Sequence, residues 1–224
     1  MLHRHFFFLL TLLCATAAAA QSSKEWRDSL ETLNHQIELS PNSVDLRLRK
    51  AAINMQLQQW EYAINEYTDI LLQNPENLSA LYFRAFANNN LRRHEQARSD
   101  YESILKLAPH NFEASLGLAY TLTTLGKQAD AMNQMNRLVE QHPDSAMAYA
   151  ARAGLEKDLK QYSAALFDWT EATRLAPDNV DFAVSKVDVM LLLNRKREAK
   201  AVLDRLVRRG TPRGTLIDWY KRCK

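Results

Sequence analysis

Counted in blocks of 34 residues that begin at Val44, Leu78, Phe112, Ala146 and Val180, the apolar positions of the chain fall into register. The fourteenth position of each block is Leu57, Leu91, Leu125, Leu159 or Leu193, and the twentieth is Ala63, Ala97, Ala131, Ala165 or Ala199. Four residues further stand Tyr67, Tyr101, Met135, Trp169 and Leu203, and three beyond those Ile70, Ile104, Leu138, Ala172 and Leu206. Spacings of four and three put side chains on one helical face. The pattern therefore predicts a helix whose alanine admits a neighbour closely and whose bulky residues fill the space beside it. The mid-block segments QQWEY, RRHEQ, GKQAD, KQYSA and NRKRE are polar and interrupt that period, which divides every block into two short antiparallel helices.

The block boundaries have their own chemistry. Pro41, Pro75, Pro109, Pro143 and Pro177 recur at the same interval, and proline ends a helix because it lacks an N–H and disfavours helical geometry in the residue before it. Two residues later come Ser43, Asn77, Asn111, Ser145 and Asn179, all side chains that accept hydrogen bonds from the first free amides of a helix. Inside the blocks, Lys50 with Glu66, Arg84 with Asp100 and Arg152 with Asp168 share one spacing, and they are expected to face each other as ion pairs. In the third block both charges are absent together, at Leu118 and Gln134, and in the fifth Lys186 stands opposite Val202.

Here the chain resembles the tetratricopeptide repeat family, whose unit of 34 residues has a small residue at position 8, alanine at 20, a large residue at 24 and proline at 32. Position 8 is Ala51, Ala85, Ala119, Ala153 and Val187; the family's tryptophan at position 4 is missing, and Thr211 replaces the last proline. The resemblance implies an all-α, right-handed superhelical solenoid of about five helix-turn-helix units (44–77, 78–111, 112–145, 146–179, 180–211), the fifth the least regular. Repeat stacks need covers at both ends. An N-terminal capping helix is expected in 21–43, with Trp26, Leu30, Leu33 and Ile37 on one face, and a basic C-terminal capping helix in 212–224, carrying Leu216, Ile217 and Tyr220.

Residues 1–20 differ from the rest. They combine Arg4, an apolar run from Phe6 to Ala15 and small residues through Ala18 and Ala20, which reads as a signal peptide cleaved before Gln21. The expectation is a protein exported to a periplasm or secreted, with no transmembrane span once the signal is removed. Cleavage would leave Cys223 as the one thiol, either free or bridged to a partner.

Charge is unevenly placed. Residues 195–224 hold 11 basic and three acidic side chains, a net +8, whereas 21–194 hold 17 basic and 23 acidic, a net −6.

Catalytic signatures are missing: there is no phosphate-cradling glycine loop, no H-E-x-x-H and no C-x-x-C. No cofactor or metal is expected, and His35, His94, His110 and His142 read as solvated loop histidines. Asn77-Leu78-Ser79 matches a glycosylation sequon. The resemblance implies a concave groove lined by positions 2, 5, 9, 12 and 13. That places Tyr82, Phe86, Asn89 and Asn90 of the second unit beside Leu116, Tyr120, Thr123 and Thr124 of the third, with Met147, Ala150, Gly154, Lys157 and Asp158 in the fourth. Position 5 is never lysine and position 9 never asparagine, which disfavours the carboxylate clamp of chaperone-adaptor members and favours an apolar or mixed peptide. The function read from this is a non-catalytic scaffold or adaptor of the cell envelope or extracellular space, binding a peptide or protein partner. The alternative is attachment to an acidic protein or anionic lipid through Arg205, Arg208, Arg209, Arg213 and Arg222. Nucleic acid is the weakest partner, because aromatic residues do not interleave the charges before Trp219.

Overall fold

The protein, seen as a computed structural model, is described for residues 23–224, so the leader expected in residues 1–20 lies outside the described residues. Among those residues the regular structure is entirely helical. In chain order it comprises α1 (Ser23–Leu39), α2 (Val44–Gln56), α3 (Trp60–Gln73), α4 (Leu78–Asn90), α5 (His94–Leu107) and α6 (Phe112–Thr124), then α7 (Gln128–Gln141), α8 (Ala146–Asp158), α9 (Tyr162–Leu175), α10 (Val180–Leu192) and α11 (Lys196–Arg208). A 3₁₀ turn at Arg213–Leu216 leads into α12 (Ile217–Arg222). No described helix is long and apolar enough to cross a membrane.

The chain divides into two compact units, one ending at Lys127 and one beginning at Gln128. In the first, each helix from α1 to α6 packs on the next; in the second, α7 to α11 do the same and α12 rests on α10 and α11. The alanine seam is closed throughout: Ala63, Ala97, Ala131, Ala165 and Ala199 are all 0% exposed, and Tyr67, Tyr101, Met135, Trp169 and Leu203 are buried beside them. Val187, the bulkiest residue at its position, is also fully buried, and α10 keeps the 13 residues of its counterparts, whereas α11 has 13 residues where α3, α5, α7 and α9 have 14. The fifth helix pair thus packs like the others but ends differently, its second helix one residue shorter and followed by Gly210 at φ 99°. The leucines at the fourteenth position are not core residues. They are half-buried C-caps of the first helices.

All five boundary residues cap as expected. Ser43, Asn77, Asn111, Ser145 and Asn179 accept from the amides of Leu46, Ala80, Ala114, Ala148 and Phe182 at 2.8–3.4 Å. The sequon asparagine Asn77 thus spends its side-chain oxygen on helix α4. The turn inside each helix pair is closed by backbone alone. The N–H of Gln59 bonds to Asn54 O at 2.8 Å and that of Gln58 to Met55 O at 3.1 Å, and the same two bonds recur at 92–93, 126–127, 160–161 and 194–195. This double bond requires a left-handed residue, which is Gln58, Arg92, Gly126, Lys160 and Asn194 in turn, with φ between 56° and 75°.

The predicted ion pairs form. Lys50 Nζ lies 2.6 Å from Glu66 Oε1, Arg84 grips Asp100 with two hydrogen bonds of 2.9 and 2.7 Å, and Arg152 grips Asp168 at 2.6 and 2.9 Å. At the ends, Leu33 of α1 is buried while Trp26, Leu30 and Ile37 are half-buried. Leu216 and Tyr220 are buried, but Ile217 points out, since residues four apart share a helical face and their immediate neighbours do not.

Candidate functional site

Helices α4 and α6 are clipped together by one side-chain contact, in which Asn89 Nδ2 donates to Thr121 Oγ1 at 2.8 Å. Thr121 is completely buried and donates onward to Gly117 O at 2.7 Å. The other end of the Asn89 amide meets His94 Nδ1 at 2.9 Å; an amide oxygen only accepts, so the ring carries its proton on Nδ1. Burial, and then the nearby Arg92, hold the His94 pKa below its usual value. His94 is thus a half-buried helix-start residue with a partner, not the solvated loop histidine read from the sequence. His142 is half-buried as well, whereas His35 and His110 are exposed.

Along the clipped pair, Tyr82 and Phe86 of α4 and Leu116 and Tyr120 of α6 are all half-buried. Tyr82 stands edge-on to Phe83 and Tyr101, with ring centroids 5.3 and 5.9 Å away, and Phe86 stands edge-on to Trp60 at 6.1 Å. Each aromatic therefore has one packed side and one side left to solvent. The polar candidates are more committed. Thr123 and Thr124 donate to Ala119 O and Tyr120 O at 2.9 and 3.0 Å, and Asn90 donates to Phe86 O at 2.9 Å. The two hydroxyls and the amide turn back on their own helices. Ala150, the candidate from the fourth helix pair, belongs to the buried core, because a methyl group at that position is covered by its larger neighbours.

Six residues of this site were not among the sequence candidates for the groove: Trp60, Phe83, His94, Tyr101, Gly117 and Thr121. Tyr101 projects from α5 with its ring against Gly117, and its hydroxyl is held well above the usual range, chiefly by burial and then by Tyr82. A mid-helix glycine in the apolar run SLGLAY was the available signal, since glycine weakens a helix unless something approaches its backbone.

The basic end is partly neutralised by the chain itself. Arg209 donates to Pro177 O at 2.7 Å and pairs with Asp178, Arg222 pairs with Asp188 at 2.6 Å, and the Arg213 guanidinium sits 4.8 Å above the Tyr220 ring. Arg205 and Arg208 are exposed and form no ion pair among the described residues. Cys223 is half-buried against the core of the second unit, and burial raises its thiol pKa. A thiol that resists ionisation lends no support to a bridge with a partner. Among the described residues no group of histidine, cysteine, aspartate and glutamate side chains could hold a metal ion.

Two tetratricopeptide repeat family models match the sequence, one over residues 48–111 and the other over 91–155. Comparison with curated proteins finds no match. Among solved structures, a tetratricopeptide repeat protein from Parabacteroides merdae superposes with a TM-score of 0.63 at 20% identity, over 89% of this chain and 78% of that one. Pseudomonas aeruginosa pilF gives 0.63 at 16% identity, over 83% and 87%. YrrB, described as a tetratricopeptide repeat protein with an unusual peptide-binding site, gives 0.58 at 17% identity, over 78% and 90%. At these identities the likeness is one of fold.

Proposed function

Since the chain belongs to the tetratricopeptide repeat family, whose members generally act as protein–protein interaction scaffolds, we propose that it is a non-catalytic scaffold or adaptor that holds a peptide on the face of α4 and α6. One observation carries this reading. Tyr82, Phe86, Leu116 and Tyr120 are half-buried on two helices locked in register by Asn89 and Thr121, so they offer apolar area that needs little ordering to bind. The face has few charges, which suits an apolar or mixed peptide, extended or helical. The peptide-binding description of YrrB is consistent with that use of the fold. Replacing Phe86 and Tyr120 together with serine should abolish capture of the partner from the native envelope fraction while helicity by circular dichroism is retained. Capture undiminished in a folded double variant would overturn the reading.

The same proposal places the mature protein outside the cytoplasm, on the strength of the leader pattern in residues 1–20. Intact mass from the native host tests it: the expected chain begins at Gln21, and a mass that still includes Met1 to Ala20 refutes export by cleavage. A second reading, attachment of an anionic partner at the basic end, is favoured by Arg205 and Arg208, which are exposed and form no ion pair among the described residues. Salt separates the two: groove binding should persist at about 0.5 M salt, where screening falls to a few ångströms and attachment by exposed charges fails.

A further inference from the structure

We propose that Lys186 and Arg205 form a binding cleft for one carboxylate, supplied by an acidic side chain of a protein partner. It deepens, and rests on, the reading of the basic end as an attachment site.

At three sites the chain supplies such a carboxylate itself. Arg84 and Arg152 each bond an aspartate 16 residues later, Asp100 and Asp168, and each reaches 16 residues back, to Thr68 Oγ1 at 3.2 Å and to Asn136 Oδ1 at 3.1 Å. Lys50 meets Glu66 in the same register. Lys186 occupies the matching place on α10, whose start and end are set by the same Asn179 cap and the same left-handed turn, at Asn194. The residue 16 earlier is Thr170, a hydroxyl as in Thr68. The residue 16 later is Val202, and the carboxylate is gone.

What remains is a half-buried ammonium with no ion pair among the described residues. Its charge is opposed by burial, then by Arg205 and Arg195, with Glu198 in weaker compensation. Arg195 is already held by Glu198 through two bonds of 2.7 and 2.6 Å, while Arg205 has no such partner. The site is short of one negative charge. Register also bears on access. Around Arg84 a cleft of about 310 Å³ opens, lined in part by Leu81, Ser99 and Ser103. The corresponding residues at the fifth helix pair are Ala183, Ala201 and Arg205, so two lining side chains are smaller and the third is a second cation at the opening. A carboxylate entering there would accept from Lys186 Nζ and from the Arg205 fork, replacing the missing aspartate by charge-assisted bonds. A lipid surface fits less well, because a bilayer is met by a broad face of free cations. Here Arg209, Arg222, Lys200 and Lys221 are paired with carboxylates of the chain.

The test uses dye-labelled hexaglutamate and the full chain, with fluorescence anisotropy at moderate salt. Val202→Asp restores the internal carboxylate, so it should weaken hexaglutamate binding about tenfold, the loss of one charge-assisted contact, and raise the melting temperature. Lys186→Met should weaken binding similarly, while Arg213→Gln with Arg222→Gln leaves it within about twofold. Full binding by Val202→Asp overturns the cleft. Equal loss in the Arg213/Arg222 variant also overturns it, yet leaves attachment at the basic end standing. Absence of hexaglutamate binding with retention on vesicles containing phosphatidylglycerol overturns it in favour of a membrane surface, and absence of both removes the basic-end reading as well. Should circular dichroism show Val202→Asp to be unfolded, Lys186→Met and Arg205→Gln decide by the same criterion.

Discussion

Tyr101 occupies space that Gly117 leaves empty: a Cβ on residue 117 would stand 2.6 Å from Cε1 and 2.8 Å from the hydroxyl oxygen of the tyrosine. The ring is buried on α5, so it can withdraw only by displacing its neighbours. Alanine is the better helix former by about 1 kcal/mol, but overpacking costs about 1–3 kcal/mol, and the clash should win. Gly117→Ala is expected to lower stability by about 1–2 kcal/mol in urea unfolding. Gly154→Ala, where an added Cβ meets nothing within 4 Å, should raise it by about 0.5–1 kcal/mol. The same sign for both would show that the ring does not depend on the glycine.

The left-handed turn residues give a second expectation. Lys160 sits at φ 61° and Arg92 at φ 60° with no glycine freedom, a conformation that costs an ordinary residue about 1–2 kcal/mol. Lys160→Gly should therefore stabilise by roughly 0.5–1 kcal/mol once the added entropy of the unfolded chain is set against the relieved strain. Gly126→Ala should destabilise by a similar amount. Thermal melts of the two variants, shifted in opposite directions, check this.

Breaking the ion pair between Arg84 and Asp100 should cost more than removing it. Asp100→Leu leaves the guanidinium, which is mostly covered, without its carboxylate, at about 3 kcal/mol. The double variant Arg84→Met with Asp100→Leu should recover a large part of that loss. A double-mutant cycle in urea measures the difference, and strict additivity would refute a coupled pair.

Glu156 predicts an unusual pH dependence. It is buried beside Asp168, one of its oxygens has no hydrogen-bond partner, and burial first, then the Asp168 charge, raises its pKa to about 7 against the opposing pull of Arg152. The folded chain thus holds a proton that the unfolded chain releases above its ordinary 4.5. The stabilisation is complete below pH 4.5, declines as pH rises, and is lost by about 7. Relative to wild type, Glu156→Gln should gain stability at pH 8 and lose that advantage at pH 5. A constant difference across this window would show that Glu156 titrates normally.

The periodic part of this protein was legible without coordinates because it is local. Proline stops, asparagine and serine caps, the alanine seam and the pairing of Arg84 with Asp100 all follow from helical periodicity and a fixed interval, and every repetition reinforces the reading. The tertiary structure decided matters that have no period. Tyr101 was identifiable as a bulky seam residue, but that its ring would come to rest on Gly117 depends on how closely α5 and α6 approach. Asn89 belonged to the expected groove by position; its actual partners, Thr121 and His94, are 32 and five residues away and meet it only in the packed form. Likewise the count of basic residues at the C-terminus says nothing of which are neutralised, since Asp178 reaches Arg209 and Asp188 reaches Arg222 across helix boundaries. A helix repeat determines which face a side chain occupies, whereas its partner is set by distances between helices, which sum over contacts far apart in the chain.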